Sequence, residues 1–399
     1  MLILIENGEV FDPAPRGRKS VLIANQQIEK VGAVDRRSLD SLNVPYEVID
    51  ASGCVVVPGL IDPHEHLLGS SGEGSLAKQS PMLFVDEICR AGVTTVVGVL
   101  GVDTTMKTLP GLLARVKALK EEGLSTFLWT GGYNVPPTTM LADVRQDMMF
   151  IDEVVGAGEI AISDERSMAP SARELAKVVF DAHVGGILTG KAGITHFHVG
   201  DSDQRLKPIL DLVECFDIKP EWLFPTHIQR TKELMDEAIA FAIDGMPVNI
   251  DVVEQDVAKW AKYYLEQGGP PSGFTISSDA DSTTPDIFYG QFCELVVKHK
   301  MPLELVLPFV TSNTARILKL TQKGKLERGC DADVLVLTRD SLDIQDVIAK
   351  GKRLVADGSC QTRAKFLEES SRKVELVGDE NEEPVHLTTA GKSVRNNVR

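Results

Sequence analysis

His64 and His66 stand two residues apart at the end of an apolar run, PGLIDPHEHL at 58–67. Side chains on a strand alternate faces, so positions two apart point the same way. Two imidazoles aimed together can hold a metal ion. Similar groups close other apolar runs: His196 and His198, His227, and Asp279. Glu159 opens a further run that is followed by Asp164 and Arg166, and Tyr133 follows another. Neutral imidazole with carboxylate is the ligand set of hydrolytic zinc. A lone HxH pair is more often an ordinary core or surface pair, and Asp279 alone reads equally as a helix N-cap. The recurrence of such groups at several run ends is what favours a metal. A period of two cannot separate His196 from His198. His198 is preferred because it lies further toward the run's C-terminal end. His183, His299 and His386 have no such context and read as structural or exposed.

The elements that must position these residues are strands alternating with helices. Candidate strands fall at 55–62, 94–100, 125–130, 159–163, 194–198, 223–227, 248–251 and 274–278. Helical patterns lie between them, for example at 112–122 and 234–243, and Ser171 with Glu174 forms a capping box. Eight strand–helix units predict an α/β fold, a (β/α)8 TIM-like barrel with its site at the C-terminal strand ends. Short β-like runs at 2–5, 20–23 and 28–31 return in kind at 332–337 and 347–355. We therefore expect residues 1–54 and 329–365 to pair into a small β-sandwich, with the barrel spanning 55–328. Residues 366–399, with an acidic run at 378–383, read as a C-terminal extension disordered toward its end.

Composition removes several functions. The chain's 399 residues, 43% hydrophobic and 25% charged, are ordinary for a globular protein. A formal net charge of −16 argues against a nucleic-acid partner. No apolar run reaches the roughly 18 residues needed to span a membrane, and the start lacks a basic leader. Six scattered cysteines without a CxxC read as reduced, buried thiols of a cytoplasmic protein. The stretch 185–192 nearly matches a phosphate loop, but Ala192 stands where a hydroxyl is needed, and the stretch precedes a strand.

With these residues in place, the chain resembles the amidohydrolase superfamily, on PGLIDPHEH and the later histidines and aspartate. Within it the chain closely resembles the bacterial isoaspartyl dipeptidase family, from residue 1 to about residue 366. The motifs are GSSGEGS, VVGVLGVD, TGGYNVP, AISDERSMAP, FHVGDS, PTHIQR and SSDADS. The resemblance implies two divalent metal ions, with zinc the expected identity. His64 and His66 would hold the more buried ion, and His198 and His227 the other. Asp279 would bind the buried ion and carry protons, and a hydroxide between the ions would attack an amide carbonyl. Tyr133 matches the tyrosine that hydrogen-bonds the oxyanion. The implied substrate is a small dipeptide whose first residue is an aspartate linked through its side-chain carboxyl. Glu73 would pair with its amino group, and Arg166 and Arg230 with its carboxylates. Ser71, in GSSGEGS, belongs to the same substrate-binding set. By itself either arginine reads equally as a surface salt bridge. The family also implies a homo-oligomer, an octamer on its usual pattern.

Three positions depart from that pattern. Thr283 stands where the family has a serine and keeps a hydroxyl. Val102 replaces a threonine in the substrate pocket and loses one. Glu159 replaces the lysine whose carboxylated side chain bridges the metals, and no lysine occurs from 149 to 164. A glutamate carboxylate reaches about 4 Å less far, at ~1.5 Å per bond. Bridging by Glu159 therefore requires strand four and the metals to come closer, and it would need no CO₂. Two other functions remain open at this point. One is hydrolysis of an N-acyl amino acid or a cyclic amide, for which a neutral ring has no need of Glu73, Arg166 and Arg230. The other is a non-catalytic assembly role, which the retained metal histidines oppose.

Overall fold

The structure, a computed structural model, describes residues 2–281 and 283–370. The chain forms two units, Met1–Arg363 and the segment from Ala364. Of the second, the described residues form one short helix, Phe366–Glu369. The acidic run at 378–383, the disorder expected of the tail and His386 lie outside the described residues.

Eight parallel strands carry the first unit: β1 (Leu60–Glu65), β2 (Val93–Gly98), β3 (Ser125–Thr130), β4 (Val154–Ile162), β5 (Ile194–Val199), β6 (Leu223–Thr226), β7 (Val248–Asp251) and β8 (Phe274–Ser277). β1 to β6 form one continuous sheet in chain order, and β7 pairs with β8. Side chains and isolated backbone bonds complete the ring. Thr226 Oγ1 donates to Asn249 Oδ1 at 2.6 Å between β6 and β7. Glu65 bridges to Ala280, and the Ser278 N–H reaches the Asp62 carboxylate at 3.2 Å, between β8 and β1. This is the TIM-like α/β barrel expected from the alternating pattern. β2, β4 and β5 are buried at every residue, as parallel strands covered on both faces must be.

Local chemistry sets the helix ends. In Ala172–Thr189, the Ser171 N–H donates to Glu174 Oε2 at 2.8 Å, and the Glu174 N–H donates back to Ser171 Oγ at 3.4 Å. Such a cap contributes about 1 kcal/mol. The helix stops at Gly190, whose φ of 76° suits a residue without Cβ. The stretch 185–192 thus ends a helix, whereas a phosphate loop opens one.

Two β-sheets formed by the flanking segments complete the unit. Leu2–Glu6, Ser20–Ala24, Gln27–Gly32 and Tyr46–Asp50 form a four-stranded sheet. Glu9–Asp12, Ala14–Arg18, Cys54–Pro58 and four strands between Val334 and Cys360 form a seven-stranded one. Ile3, Ile5 and Ile23 of the first sheet share one apolar cluster with Val56, Val334 and Val336 of the second.

Four expectations need correction. The run 55–62 is two strands: Cys54–Pro58 pairs antiparallel with Val334–Thr338, and the barrel starts at Leu60. An unbroken apolar run does not show where the chain changes sheets. The run 347–355 is a hairpin, Ile344–Ala349 and Lys352–Ala356, turning at Gly351 with φ 74°. β4 begins at Val154, so Glu159 lies inside it. All six cysteines are free, but only Cys89 and Cys330 are buried, and Cys215 is exposed.

Candidate metal centre and substrate cavity

The C-terminal ends of β1, β5, β6 and β8 converge. His64 and His66 come from β1 and the residue just past it, and both Nε2 atoms lie 3.2 Å from Asp279 Oδ1. His66 fits because Gly101 faces it: a Cβ there would lie 2.6 Å from His66 Cε1. His227 and Asp279 follow their strands with φ of 63° and 48°. That backbone costs an L residue about 1–2 kcal/mol and turns both side chains into the site.

Glu159 reaches the cluster through a bulge. Thr195 pairs with Ala157 and Phe197 with Ile160, so residues 158 and 159 together oppose His196. A bulge of this kind kinks a strand and re-aims a side chain. It needs Gly158, where a Cβ would lie 2.7 Å from the His196 Cβ. Glu159 Oε2 lies 3.5 Å from His64 Nε2, and Oε1 lies 3.5 Å from His227 Nε2 and 2.7 Å from His198 Nδ1.

Three donor sets result: His64, His66 and Asp279; His64, Glu159 and His227; and His227, Asp251 and Asp279. In each set the donor atoms lie within 4.8 Å of one another. Donors about 2.1 Å from a common centre lie ~3.4 Å apart at the tetrahedral angle, close to the 3.2 and 3.5 Å found here. His64 Nε2 and Glu159 Oε2 are buried and have no hydrogen-bond partner among the described residues. Burial works to raise the Glu159 and Asp279 carboxyls. The imidazoles around them nevertheless hold both well below the usual carboxylate range: His64, His198 and His227 at Glu159, and His64, His66 and His227 at Asp279. Buried anions beside unpartnered lone pairs call for cations. The residues present therefore fit divalent metal.

His198 stands apart from all three sets. Its Nδ1 faces Glu159 Oε1, and its Nε2 faces Asp164 Oδ2 at 3.0 Å. Tyr133 OH lies 2.8 Å from His198 Nδ1. Burial raises the Tyr133 hydroxyl well above its usual value, so it remains a donor.

A cavity of about 410 Å³ opens over this cluster, lined by Ser71, Glu73, Val102, Tyr133, Arg166 and Arg230, with His66, His198 and Asp279 among its remaining walls. Arg166 donates to Glu73 Oε1 at 2.7 Å and to both Asp164 oxygens at 2.8 Å. Arg230 donates to Asp201 at 3.0 Å. Thr283 is half-buried and is not among the described residues lining the cavity; its hydroxyl has no hydrogen-bond partner among them. A larger surface cavity of about 690 Å³, walled by Leu206, Glu237 and Phe241, contains none of these residues.

Several residues of the site were given no role from sequence. Asp251 Oδ2 accepts from His227 Nδ1 at 2.6 Å. It ends β7, and a carboxylate at that strand end was the available signal. Asp164, which follows β4, holds Arg166. His196 lies beneath the cluster and contacts His64. Lys78 and Asp281 also line the cavity; Asp281 belongs to the SSDADS motif, and nothing in the local sequence pattern marks Lys78.

The family model for the Amidohydrolase family matches residues 55–354. A crystal structure of a beta-aspartyl dipeptidase from thermophilic, keratin-degrading Fervidobacterium islandicum AW-1 is 37% identical, covers 91% of this chain and 99% of its own, and superposes with a TM-score of 0.86. A crystal structure of a beta-aspartyl dipeptidase from the same organism, in complex with a beta-Asp-Leu dipeptide, is 35% identical over 91% of this chain and 99% of its own, with a TM-score of 0.84. Among curated sequences, a dihydroorotase of Lactobacillus johnsonii is 26% identical over 84% of this chain and 89% of its own.

Proposed function

We infer, from the premise that this chain belongs to the amidohydrolase family, that it hydrolyses the isopeptide bond of β-aspartyl dipeptides. One observation carries this reading. Groups of both charges, Glu73 against Arg166 and Arg230, line the same cavity as the metal-type donor cluster. A dipeptide with a free amino group and carboxylates needs both signs of charge.

His64, His66, Asp279, Glu159 and His227 would hold two divalent ions, with Asp251 a further donor beside His227; His198 would join them by exchanging its contact with Glu159 or Asp164 for an ion. Divalent metal there polarises a carbonyl and lowers the pKa of water. Asp279 takes a proton from the attacking water and returns it to the leaving amine nitrogen, so no net proton is lost. The Tyr133 hydroxyl donates to the oxygen that gains charge as the amide carbon becomes tetrahedral. Glu73 anchors the substrate ammonium, and the two arginines anchor its carboxylates. Glu159 offers two oxygens to different histidines, which supports a bridging role that needs no CO₂. The cytoplasmic location read from the scattered cysteines and the homo-oligomeric assembly implied by the family resemblance belong to the same proposal.

The likeness to dihydroorotases favours a second reading, hydrolysis of a cyclic amide. It uses the same metal donors but leaves the Glu73–Arg166 pair without a task.

The test is zinc content per chain, with hydrolysis of β-aspartyl-leucine and of a neutral cyclic amide measured on the same sample, with and without bicarbonate. Two zinc ions and turnover of the dipeptide alone support the proposal. Turnover of the cyclic amide alone overturns the substrate assignment. Rescue by bicarbonate overturns the role of Glu159.

A further inference from the structure

We infer that His196 is a positioning residue for His64, fixing the tautomer that leaves His64 Nε2 bare toward the donor cluster. This rests on the metal-site reading above and extends it to a residue given no task there.

His196 is fully buried on β5. Its ring stacks on Trp129, with centroids 4.9 Å apart and planes 21° apart, and tilts against Phe224 at 5.1 Å. Trp129 is itself held by its Nε1 donating to Pro63 O at 2.9 Å. Among the described residues no carboxylate bonds to the His196 ring, so nothing there supports a charged imidazole.

Hydrogen-bond direction then runs one way. His196 Nδ1 lies 2.9 Å from the Phe224 carbonyl oxygen. A carbonyl only accepts, so Nδ1 carries the ring hydrogen. A neutral imidazole has one such hydrogen, which leaves Nε2 as an acceptor. His196 Nε2 lies 2.7 Å from His64 Nδ1. That contact is a hydrogen bond only if His64 Nδ1 donates. A His64 that ligates a metal is neutral, so its Nε2 is then left with its lone pair, 3.2 Å from Asp279 Oδ1 and 3.5 Å from Glu159 Oε2.

A peptide carbonyl on β6 thus sets the protonation of an imidazole on β1, through one ring on β5. The same bulge that brings Glu159 in lets β5 carry His196 close by, because a Cβ on Gly158 would lie 2.7 Å from the His196 Cβ. Holding the ligating tautomer in advance is worth about 10–100-fold in metal affinity.

Neutron diffraction from the zinc-loaded, deuterium-exchanged full-length protein is the direct test. We expect a deuteron on Nδ1 of His196 and none on its Nε2. A deuteron on His196 Nε2 overturns the inference. The map reads hydrogen positions whether or not the protein cleaves dipeptides, so this inference and the functional proposal fail separately. Zinc affinity, measured by chelator competition, tests the consequence. His196→Leu should weaken binding by about 10–100-fold. His196→Gln, whose side-chain oxygen can accept from His64 Nδ1, should stay within about threefold of the unaltered protein. Equal losses in both variants, or none in His196→Leu, overturn the inference. If His196→Leu does not fold, the neutron map of the unaltered chain decides.

Discussion

Arg166 donates to Glu73 at 2.7 Å, so two groups of opposite charge facing one cavity neutralise each other. Both are partly exposed, with side-chain exposures of 28% and 58%, which makes the pair exchangeable. A substrate carrying its own ammonium and carboxylate can replace each partner with a matching charge. Glu73→Gln should therefore lower kcat/KM for β-aspartyl-leucine by about 10–100-fold. An N-acetylated substrate, which has no ammonium, should be turned over equally poorly by both forms. Steady-state kinetics with the two substrates checks this.

Tyr133 should act in the transition state rather than in binding. Its hydroxyl faces His198 and lines the cavity. Tyr133→Phe removes one donor to the developing oxyanion. We expect kcat to fall by about 10²–10³ with KM nearly unchanged. A loss confined to KM would assign the hydroxyl to ground-state binding.

Asp251 accepts from His227 Nδ1 and leaves Nε2 facing Glu159. Asp251→Asn keeps the shape and loses the charge. Zinc affinity should drop by about 10–100-fold, read by competition with a chromophoric chelator.

Glu159 offers its two oxygens to different histidines. Glu159→Gln should reduce zinc per chain, by elemental analysis, and bicarbonate should not restore it. Full zinc content in the variant would remove Glu159 from the metal site.

A pH effect is expected away from the site. Burial opposes ionisation of Glu153, but Lys117 and Lys120, at 3.0 and 3.2 Å, hold its carboxyl below its usual value. A carboxyl lowered on folding binds fewer protons folded than unfolded through the acid range. Its stabilisation is present above the unfolded pKa of about 4.3 and is lost as pH falls through the folded value. Both lysines are half-exposed, so the contribution is under about 1 kcal/mol. Denaturant unfolding of metal-free protein should show the unaltered chain losing more stability than Glu153→Gln between about pH 5 and pH 3.

Much of the scaffold is legible locally. Buried parallel strands read as short apolar runs, so β3 and β7 appear in the sequence with their observed bounds. His64, His66, His227 and Asp279 are legible because a barrel gathers its strand ends on one face. What local pattern cannot carry is the relation between strands. The run 55–62 looks continuous, yet two sheets divide it. His196 and His198 share a face by periodicity, and only their neighbours separate them: Phe224 and His64 bond the first, Glu159 and Asp164 the second. The reach of Glu159 depends on a bulge counted against β5, and a register is a property of two strands. Asp251 and Asp164 matter through partners 24 and 34 residues away along the chain. Residue types and the order of elements were thus set by the chain itself. Depth, register and hydrogen-bond direction were decided only where separate segments meet, because each of those quantities exists only between them.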